Sequence, residues 1–308
     1  MSSSIEPDRR QWLRRCGAGL LAAGLPWAAQ AALRPATRRI GASAETLPVV
    51  GLGSWITFNV GADAVARDAC AEVVRAFFAA GGTLIDSSPM YGSSESVTGD
   101  LLADLGLAGK LFVATKVWTR GKDAGIRQME DSFARLRVSR MDLMQIHNLV
   151  DAAVHTRTLE DWKAKGRVRY LGITHYTSAA HTEVERLLKT GKYDFLQINY
   201  SLAERESEER LLPLALEKKM AVIINRPFAE GTMFGRVRGK PLPEWAREFG
   251  AASWAQFFLK WIVSHSAVTC AIPGTGKPEH MRDNLAAGVG ALPDAAMRRK
   301  MAQHFDAL

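Results

Sequence analysis

Eight short apolar segments, separated by longer stretches with helical spacing, constrain the fold of this chain more than any other feature. They cover residues 49–53, 83–86, 111–116, 142–147, 170–174, 195–199, 221–225 and 268–272. These segments are rich in leucine and β-branched residues, which is typical of parallel strands that are buried on both faces. The alternation therefore predicts a parallel sheet with helices packed outside it.

The intervening stretches complete a repeat of strand followed by helix. Apolar residues recur at helical spacing over residues 64–80, 123–136, 178–189, 206–218, 253–264 and 278–287. Eight strand segments with helical stretches between them favour an α/β fold of the (β/α)8 TIM barrel type, and residues 38–40 and 47–49 predict a short hairpin at its bottom. A doubly wound open sheet is the alternative, but the segment GLGSWI at 51–56 lacks the third glycine of its nucleotide-binding turn.

The first residues of the chain are predicted to form an export signal rather than part of the barrel. The segment DRRQWLR at 8–14 resembles a twin-arginine (Tat) export signal, with Arg9 and Arg10 as the paired arginines. An apolar run over 17–28 and the triplet AQA at 29–31 follow, which predicts a signal peptide over 1–31 and a barrel domain over 32–308. An uncleaved membrane tether and an amphipathic helix of the fold are the alternatives. We expect a periplasmic protein, delivered by the Tat machinery, without stable membrane insertion after cleavage.

Charge and cysteine usage exclude several classes of function. The formal net charge of +8 is mildly basic, and no dense Lys/Arg block with interleaved aromatics occurs, so nucleic acid is not an expected partner. Cys70 and Cys270 each lie in an apolar segment, which predicts two buried free thiols. The histidines are scattered and neither CxxC nor HExxH occurs, so no metal site is predicted.

Polar residues stand where successive predicted strands end. Asp86, Lys116 and His147 terminate strands two, three and four. Tyr91 follows Asp86 by five residues, in the segment LIDSSPMYG at 84–92. The chemistry of barrel enzymes lies at the carboxyl ends of the strands, so these four side chains are expected to converge. Each residue alone has a structural alternative: it could cap a helix, form an ion pair or be a histidine of the core. Their occurrence together, at the ends of successive strands, favours a catalytic site.

This ordered set resembles the catalytic tetrad of the aldo-keto reductases. The resemblance spans about residues 38–287 and implies a barrel that reduces an aldehyde or ketone with a nicotinamide cofactor. It implies that Tyr91 protonates the carbonyl oxygen as general acid and that the neighbouring Lys116 lowers the pKa of its phenol. Asp86 is then expected to hold Lys116, and His147 to orient the substrate oxygen.

The resemblance also implies where the nicotinamide ring binds. Thr174 and Gln197 match residues that contact the carboxamide, and His175 stands where the family usually has Asn. Tyr200 matches the residue that stacks on the ring, a role that needs a flat aromatic face.

A second segment resembles the loop that binds the adenosine phosphate, IPGTGKPEHMRDN at 272–284. The resemblance implies that Gly274 and Thr275 let the backbone approach a phosphate at a helix N-terminus, that Lys277 neutralises a 2′-phosphate, and that Asn284 contacts the adenine. Arg226, after strand seven, either reaches the pyrophosphate or forms a surface salt bridge. The loop lacks two basic residues that are frequent in the family, which keeps NAD as an alternative. The loop is still mildly basic, so NADP is the expected cofactor.

Three aromatic residues fall just past strands one, three and seven, namely Trp55, Trp118 and Phe228. They are expected either to line an apolar substrate pocket or to cover the barrel core. Two functions compete with a carbonyl reductase: a cofactor-binding or sensing subunit of an assembly with little turnover, and an exported enzyme that cycles a tightly bound cofactor between two substrates. The second follows from the signal, because free NADPH is not expected outside the cytoplasm.

Overall fold

The computed structural model describes residues 35–308, so the predicted signal peptide at 1–31 lies outside the described residues. These residues form ten strands: β1 (Thr37–Arg39), β2 (Thr46–Pro48), β3 (Leu52–Gly53), β4 (Leu84–Asp86), β5 (Phe112–Val117), β6 (Met141–His147), β7 (Val168–Thr174), β8 (Phe195–Asn199), β9 (Ala221–Asn225) and β10 (Cys270–Ala271). Strands β3 to β10 form one parallel sheet in chain order. Bridges from Val50 to Ala271 and from Gly53 to Gly274 join its two edges. The sheet therefore closes, and the predicted (β/α)8 barrel is confirmed.

Ten α-helices accompany the sheet within the described part of the chain. They are α1 (Ala64–Ala79), α2 (Ser94–Asp104), α3 (Lys122–Leu136), α4 (Ala152–Ala164), α5 (His181–Leu188), α6 (Leu211–Glu217), α7 (Thr232–Arg236), α8 (Trp254–Val263), α9 (Pro278–Ala286) and α10 (Ala295–Asp306). Side chains cap several N-termini; Asp63, for example, accepts a hydrogen bond from the Ala66 N–H at 3.0 Å. The predicted helix at 206–218 is too long, because Pro213 is tolerated only in a first turn, and α6 accordingly begins at Leu211.

The hairpin of β1 and β2 plugs the bottom of the barrel. The two strands pair antiparallel, one residue earlier than the sequence predicts. Ile40 and Leu47 pack into the inner core of the barrel with residues such as Leu84 and Phe195, whereas a larger apolar layer separates the sheet from the helices. The inner core thus leaves the opposite end of the barrel, where the strands terminate, for polar side chains.

Strand register brings the polar strand ends to one level. Lys116 pairs with Gln145 across β5 and β6, and His147 pairs with Thr174 across β6 and β7. Thr174 in turn pairs with Gln197 on β8. The predicted site residues of these strands therefore lie side by side at the carboxyl end of the sheet.

Two cysteines lie within residues 35–308. Cys70 and Cys270 are buried free thiols, as predicted, and burial raises the pKa of both. Within this part of the chain, no helix has the length and apolarity that crossing a bilayer requires. Nor do its His, Cys, Asp and Glu side chains gather in any group of three that could hold a metal ion.

Candidate active site

A buried ion pair joins the ends of β4 and β5. The Lys116 ammonium donates to Oδ2 of Asp86 at 2.5 Å and to the Ser87 carbonyl at 2.6 Å. Lys116 and Asp86 are 0 % and 1 % exposed. Buried charges are tolerated when they are paired and hydrogen-bonded, and these contacts satisfy that condition. The expected pairing of Asp86 with Lys116 is thus present in the structure.

Two glutamines complete the shell of Asp86. The side-chain amides of Gln145 and Gln197 donate to its Oδ1 at 3.0 and 2.9 Å. Gln145 was not among the predicted site residues. A signal exists in the sequence, because Gln145 is a polar residue in an apolar strand and lies two positions before His147, on the same face.

Tyr91 stands above this pair, in the loop after β4. The Lys116 ammonium lies 4.9 Å from the centroid of its ring. Burial raises the pKa of Tyr91, Lys116 acts to lower it, and Asp86 adds to the rise, so the pKa stays above its ordinary value. Lys116 thus acts in the expected direction, but removal of the phenol from water outweighs the nearby cation, so the net shift of the pKa is upward.

His147 faces the same space from the end of β6. Its ring meets the Tyr91 ring edge-on, with centroids 6.1 Å apart, and lies 6.4 Å from the Trp118 ring. Ser88 Oγ lies 3.1 Å from its Nδ1. Burial, reinforced by the charges of Lys116 and His175, lowers the pKa of His147 to about 3. The ring is therefore neutral across the physiological range.

The loop after β3 braces the loop that carries Tyr91. Oδ1 of Asn59 accepts hydrogen bonds from the Ser93 backbone N–H at 2.9 Å and from its hydroxyl at 3.1 Å. A Cβ on Gly92, whose φ is +59°, would lie 2.2 Å from the same Oδ1. The residue after Tyr91 must therefore be glycine for both loops to keep this approach.

Strained backbone concentrates at this end of the barrel. Nine non-glycine residues of the described chain have positive φ, and seven follow β3, β6 or β9, namely Ile56, Asn148, Leu149, Asp151, Arg226, Ala229 and Glu230. Such conformations persist only where the surroundings enforce them, and they cluster at functional sites. Ile56 is the most unusual of these, because a β-branched residue rarely adopts a left-handed conformation.

The residues predicted near the carboxamide form one hydrogen-bonded group. The Thr174 hydroxyl donates to Oε1 of Gln197 at 3.1 Å, and the same glutamine donates to Asp86. His175 follows Thr174, and its carbonyl accepts a hydrogen bond from Asn225 at 3.0 Å. The structure therefore places Gln197 against Asp86 and Thr174 beside Gln197, while His175 follows Thr174 in the chain.

Tyr200 lies elsewhere. Its ring is fully buried against Trp261 of α8, with centroids 4.9 Å apart, and its hydroxyl bonds to Glu208 and Arg298. A ring enclosed in this way has no free face at the barrel mouth. The expected stacking of Tyr200 on a nicotinamide ring does not fit this position, because packing against α8 and α10 turns the side chain outward from the barrel.

The loop after β10 runs beside the end of β3. Gly274 forms a bridge with Gly53, and a Cβ on Gly274 would lie 3.1 Å from the Gly53 carbonyl oxygen. Thr275 Oγ1 accepts a hydrogen bond from the Lys277 N–H at 3.1 Å, and Lys277 is the exposed residue that precedes α9. Asn284 is buried on that helix.

Arg226 and the predicted pocket aromatics have different surroundings. Arg226 forms salt bridges with Glu204 at 3.2 Å and Glu230 at 3.5 Å, the second of its two predicted alternatives. Trp55 and Trp118 are 47 % and 37 % exposed in the mouth loops. Phe228 is partly buried and packs against two further aromatic rings, Phe234 at 4.9 Å and Phe258 at 6.4 Å.

The sequence profile described as the aldo/keto reductase family matches residues 49–302, which span the barrel. The chain belongs to this family. It is therefore an oxidoreductase, and the family uses NAD(P)H.

Individual relatives agree with this assignment. Over 249 residues the chain is 31 % identical to methylglyoxal reductase YeaE of Escherichia coli (strain K12), covering 78 % of this chain and 85 % of that protein. It is 26 % identical to an NADH-specific methylglyoxal reductase of the same organism, covering 87 % and 98 %. An aldo-keto reductase from Klebsiella pneumoniae, solved in complex with NADPH, has a TM-score of 0.73 at 26 % identity, covering 88 % of this chain and 95 % of that one.

Proposed function

We propose that this chain reduces aldehydes or ketones to alcohols by hydride transfer from NAD(P)H, with Tyr91 as general acid. The observation that carries the proposal is the fully buried Lys116–Asp86 pair, whose ammonium lies 4.9 Å from the centroid of the Tyr91 ring. A buried ion pair contributes little to stability compared with apolar residues of similar size, so its location beside a tyrosine at the barrel mouth favours a chemical role.

The side chains and backbone around the mouth fit a nucleotide cofactor. Thr57 Oγ1 is buried without a hydrogen-bond partner in the described chain, and it lies 3.8 Å from where a Cβ on Gly274 would stand. No side chain caps the N-terminus of α9, which follows Lys277. Free N–H groups at a helix N-terminus and an unpaired hydroxyl suit phosphate oxygens. We infer that Gly274, Thr275 and Lys277 hold the phosphates and that Thr174 and Gln197 lie at the nicotinamide end.

When bound, the cofactor supplies the hydride. Tyr91 retains its proton at neutral pH, because burial holds its pKa above the ordinary value, and it can donate that proton to the oxygen on which negative charge develops. Lys116 then stabilises the tyrosinate that remains. Neutral His147 donates an N–H hydrogen bond to the same oxygen, and its pKa of about 3 prevents it from acting as a competing acid.

Tyr91→Phe tests the mechanism. We expect the variant to lose carbonyl reduction on a panel of small aldehydes and ketones, including methylglyoxal, while it still binds NADPH. Tyr193→Phe is the matched control, because the Tyr193 hydroxyl bonds to Thr156, remote from the Lys116 ion pair. Retained turnover in Tyr91→Phe would refute Tyr91 as the acid. Tight NADPH binding by the wild type, with negligible turnover on every carbonyl, would instead favour a cofactor-sensing subunit.

We propose NADPH as the preferred cofactor, supported by the exposed Lys277 at the start of α9. The wild type should then have a lower KM for NADPH than for NADH. Lys277→Glu should weaken the use of NADPH about tenfold, since it replaces an attraction to the 2′-phosphate by a repulsion. Lys110→Glu, an exposed lysine before β5, is the control. If the ratio of the KM values for NADPH and NADH is unchanged in Lys277→Glu, this assignment is contradicted.

We further propose that residues 1–31 direct export of the folded protein to the periplasm, which the paired Arg9 and Arg10 support. The double substitution Arg9→Lys, Arg10→Lys should keep the protein in the cytoplasm. Mass spectrometry of the periplasmic wild type should find an N-terminus after Ala31. If the exported enzyme cycles a bound cofactor, the same measurement should find nucleotide that survives dialysis, and protein free of nucleotide would contradict that cycle.

A further inference from the structure

Ser88 contacts His147 from within the wall of the site. Its hydroxyl oxygen lies 3.1 Å from Nδ1 of the ring, and Ser88 is fully buried. The same oxygen accepts a hydrogen bond from the Met90 backbone N–H at 3.2 Å. Across residues 35–308, Ser88 Oγ forms these two hydrogen bonds, and Nε2 of His147 has no hydrogen-bond partner.

The hydroxyl proton of Ser88 decides which ring nitrogen is protonated. A hydroxyl has one proton to donate and two lone pairs that accept. If Nδ1 of His147 carried a proton, Ser88 Oγ would accept twice and its own proton would be buried without an acceptor, which is costly. If Nδ1 is unprotonated, the Ser88 hydroxyl donates to it and accepts from Met90, and every group is paired. In a neutral imidazole the ring proton then resides on Nε2.

The other contacts of the ring leave its orientation to Ser88. The backbone after His147 is held by the left-handed Asn148, whose N–H donates to the Thr174 carbonyl at 2.9 Å. The ring also lies against the aromatic faces and edges of Tyr91 and Trp118. Such contacts scarcely distinguish the ring from one rotated by half a turn, since that rotation exchanges nitrogens for carbons of similar size. The hydrogen bond to Ser88 does distinguish the two orientations.

We propose that Ser88 is a positioning residue that fixes His147 as the Nε2–H tautomer, so that this N–H donates to the carbonyl oxygen of the substrate. The inference rests on the proposed function, in which His147 orients that oxygen. Ser88 acts through His147 and does not itself touch the substrate. The resemblance to the aldo-keto reductases assigns no role to Ser88.

The tautomer is tested on the wild-type protein by ¹⁵N NMR of labelled histidine, with His147→Asn to assign the signals. We expect an unprotonated Nδ1 and a protonated Nε2 at neutral pH, and in Ser88→Ala a shift of both signals toward a mixture of tautomers. A protonated Nδ1 in the wild type, or identical signals in both proteins, would overturn the proposal. Because this readout needs no turnover, it can fail or succeed independently of the reductase assignment.

Kinetics separate positioning from a general structural effect. Ser88→Ala should lower kcat about five- to tenfold, the effect of one hydrogen bond of ordinary net strength, while the Kd for NADPH is unchanged. Ser88→Thr keeps the hydroxyl and should restore most of kcat. Ser94→Ala is the matched control, because Ser94 is also buried and donates to the Ser54 carbonyl at 3.2 Å. Equal losses of kcat in Ser88→Ala and Ser94→Ala would refute the positioning role.

Discussion

Replacing Asp86 by Asn should destabilise the barrel strongly, because it leaves the Lys116 ammonium buried without an opposite charge. The two side chains are 2 % and 0 % exposed, and 2.5 Å separates Oδ2 from Nζ. In Asp86→Asn the amide oxygen accepts from Gln145 and Gln197 as the carboxylate does, which turns the amide NH2 toward the ammonium, donor against donor. Breaking a buried pair from one side costs about 3–5 kcal/mol, and this repulsion places the expected loss in the upper half of that range.

The double variant Asp86→Asn/Lys116→Met isolates the electrostatic part of this loss. Met has roughly the length of the lysine stem and carries no charge. Replacing both members of a buried pair by neutral groups is often close to neutral in stability. We therefore expect the double variant to be more stable than Asp86→Asn by about 2 kcal/mol or more, although it contains one substitution more.

The loss of stability in Asp86→Asn relative to the wild type should also become smaller as the pH rises. In the wild type, burial acts to lower the pKa of Lys116, but Asp86 and Tyr91 together raise it above its ordinary value. Without the carboxylate, burial dominates, and the folded-state pKa of Lys116 should fall below the unfolded value of 10.5. The penalty is then fully present below the folded pKa and is relieved as the pH approaches the unfolded one.

Urea unfolding followed by tryptophan fluorescence, at about pH 7 and about pH 9.5, measures both effects. The gap between the single and double variants should be largest at the lower pH. Equal unfolding midpoints for the two variants at the lower pH, or a gap that does not change between the two conditions, would refute the reasoning.

Three further substitutions probe the barrel mouth. Burial lowers the pKa of His147 from 6.5 to about 3. The free energy of unfolding of the wild type should therefore fall by about 1.4 kcal/mol per pH unit as the pH drops through this range. In urea unfolding measured at several acidic pH values, His147→Asn should show a flatter dependence on pH. Ile56 has a φ of 64° and is 65 % exposed. Its strain of about 1–2 kcal/mol exceeds the entropic cost of glycine, about 0.5–1 kcal/mol, so Ile56→Gly should raise Tm, and a lower Tm would contradict this. Gly92→Ala should lower kcat about tenfold or more, since its Cβ would lie 2.2 Å from Asn59 Oδ1, whereas Gly61→Ala has a similar φ of +57° and nothing within 4 Å; equal losses in both would show that backbone strain alone is responsible.

Some site residues could be predicted because their place in the chain determines their place in space. Every strand of a parallel barrel ends on the same face, so Asp86, Lys116 and His147, each the last or nearly the last residue of its strand, must meet there. Tyr200 shows the limit of this reasoning. It also follows a strand, but just beyond β8 the chain can turn its side chain either way, and packing against Trp261 and Arg298 turns it outward.

The sequence by itself determined the barrel, its hairpin and the residues at the strand ends, because periodicity and strand order are local properties of the chain. Only the tertiary structure decided how those residues are supported. Gln145 and Gln197 share Asp86, Ser88 holds His147, and burial outweighs the effect of Lys116 on the pKa of the tyrosine beside it. Hydrogen-bond partners and removal from water depend on distances between segments far apart along the chain, and no local pattern encodes those distances.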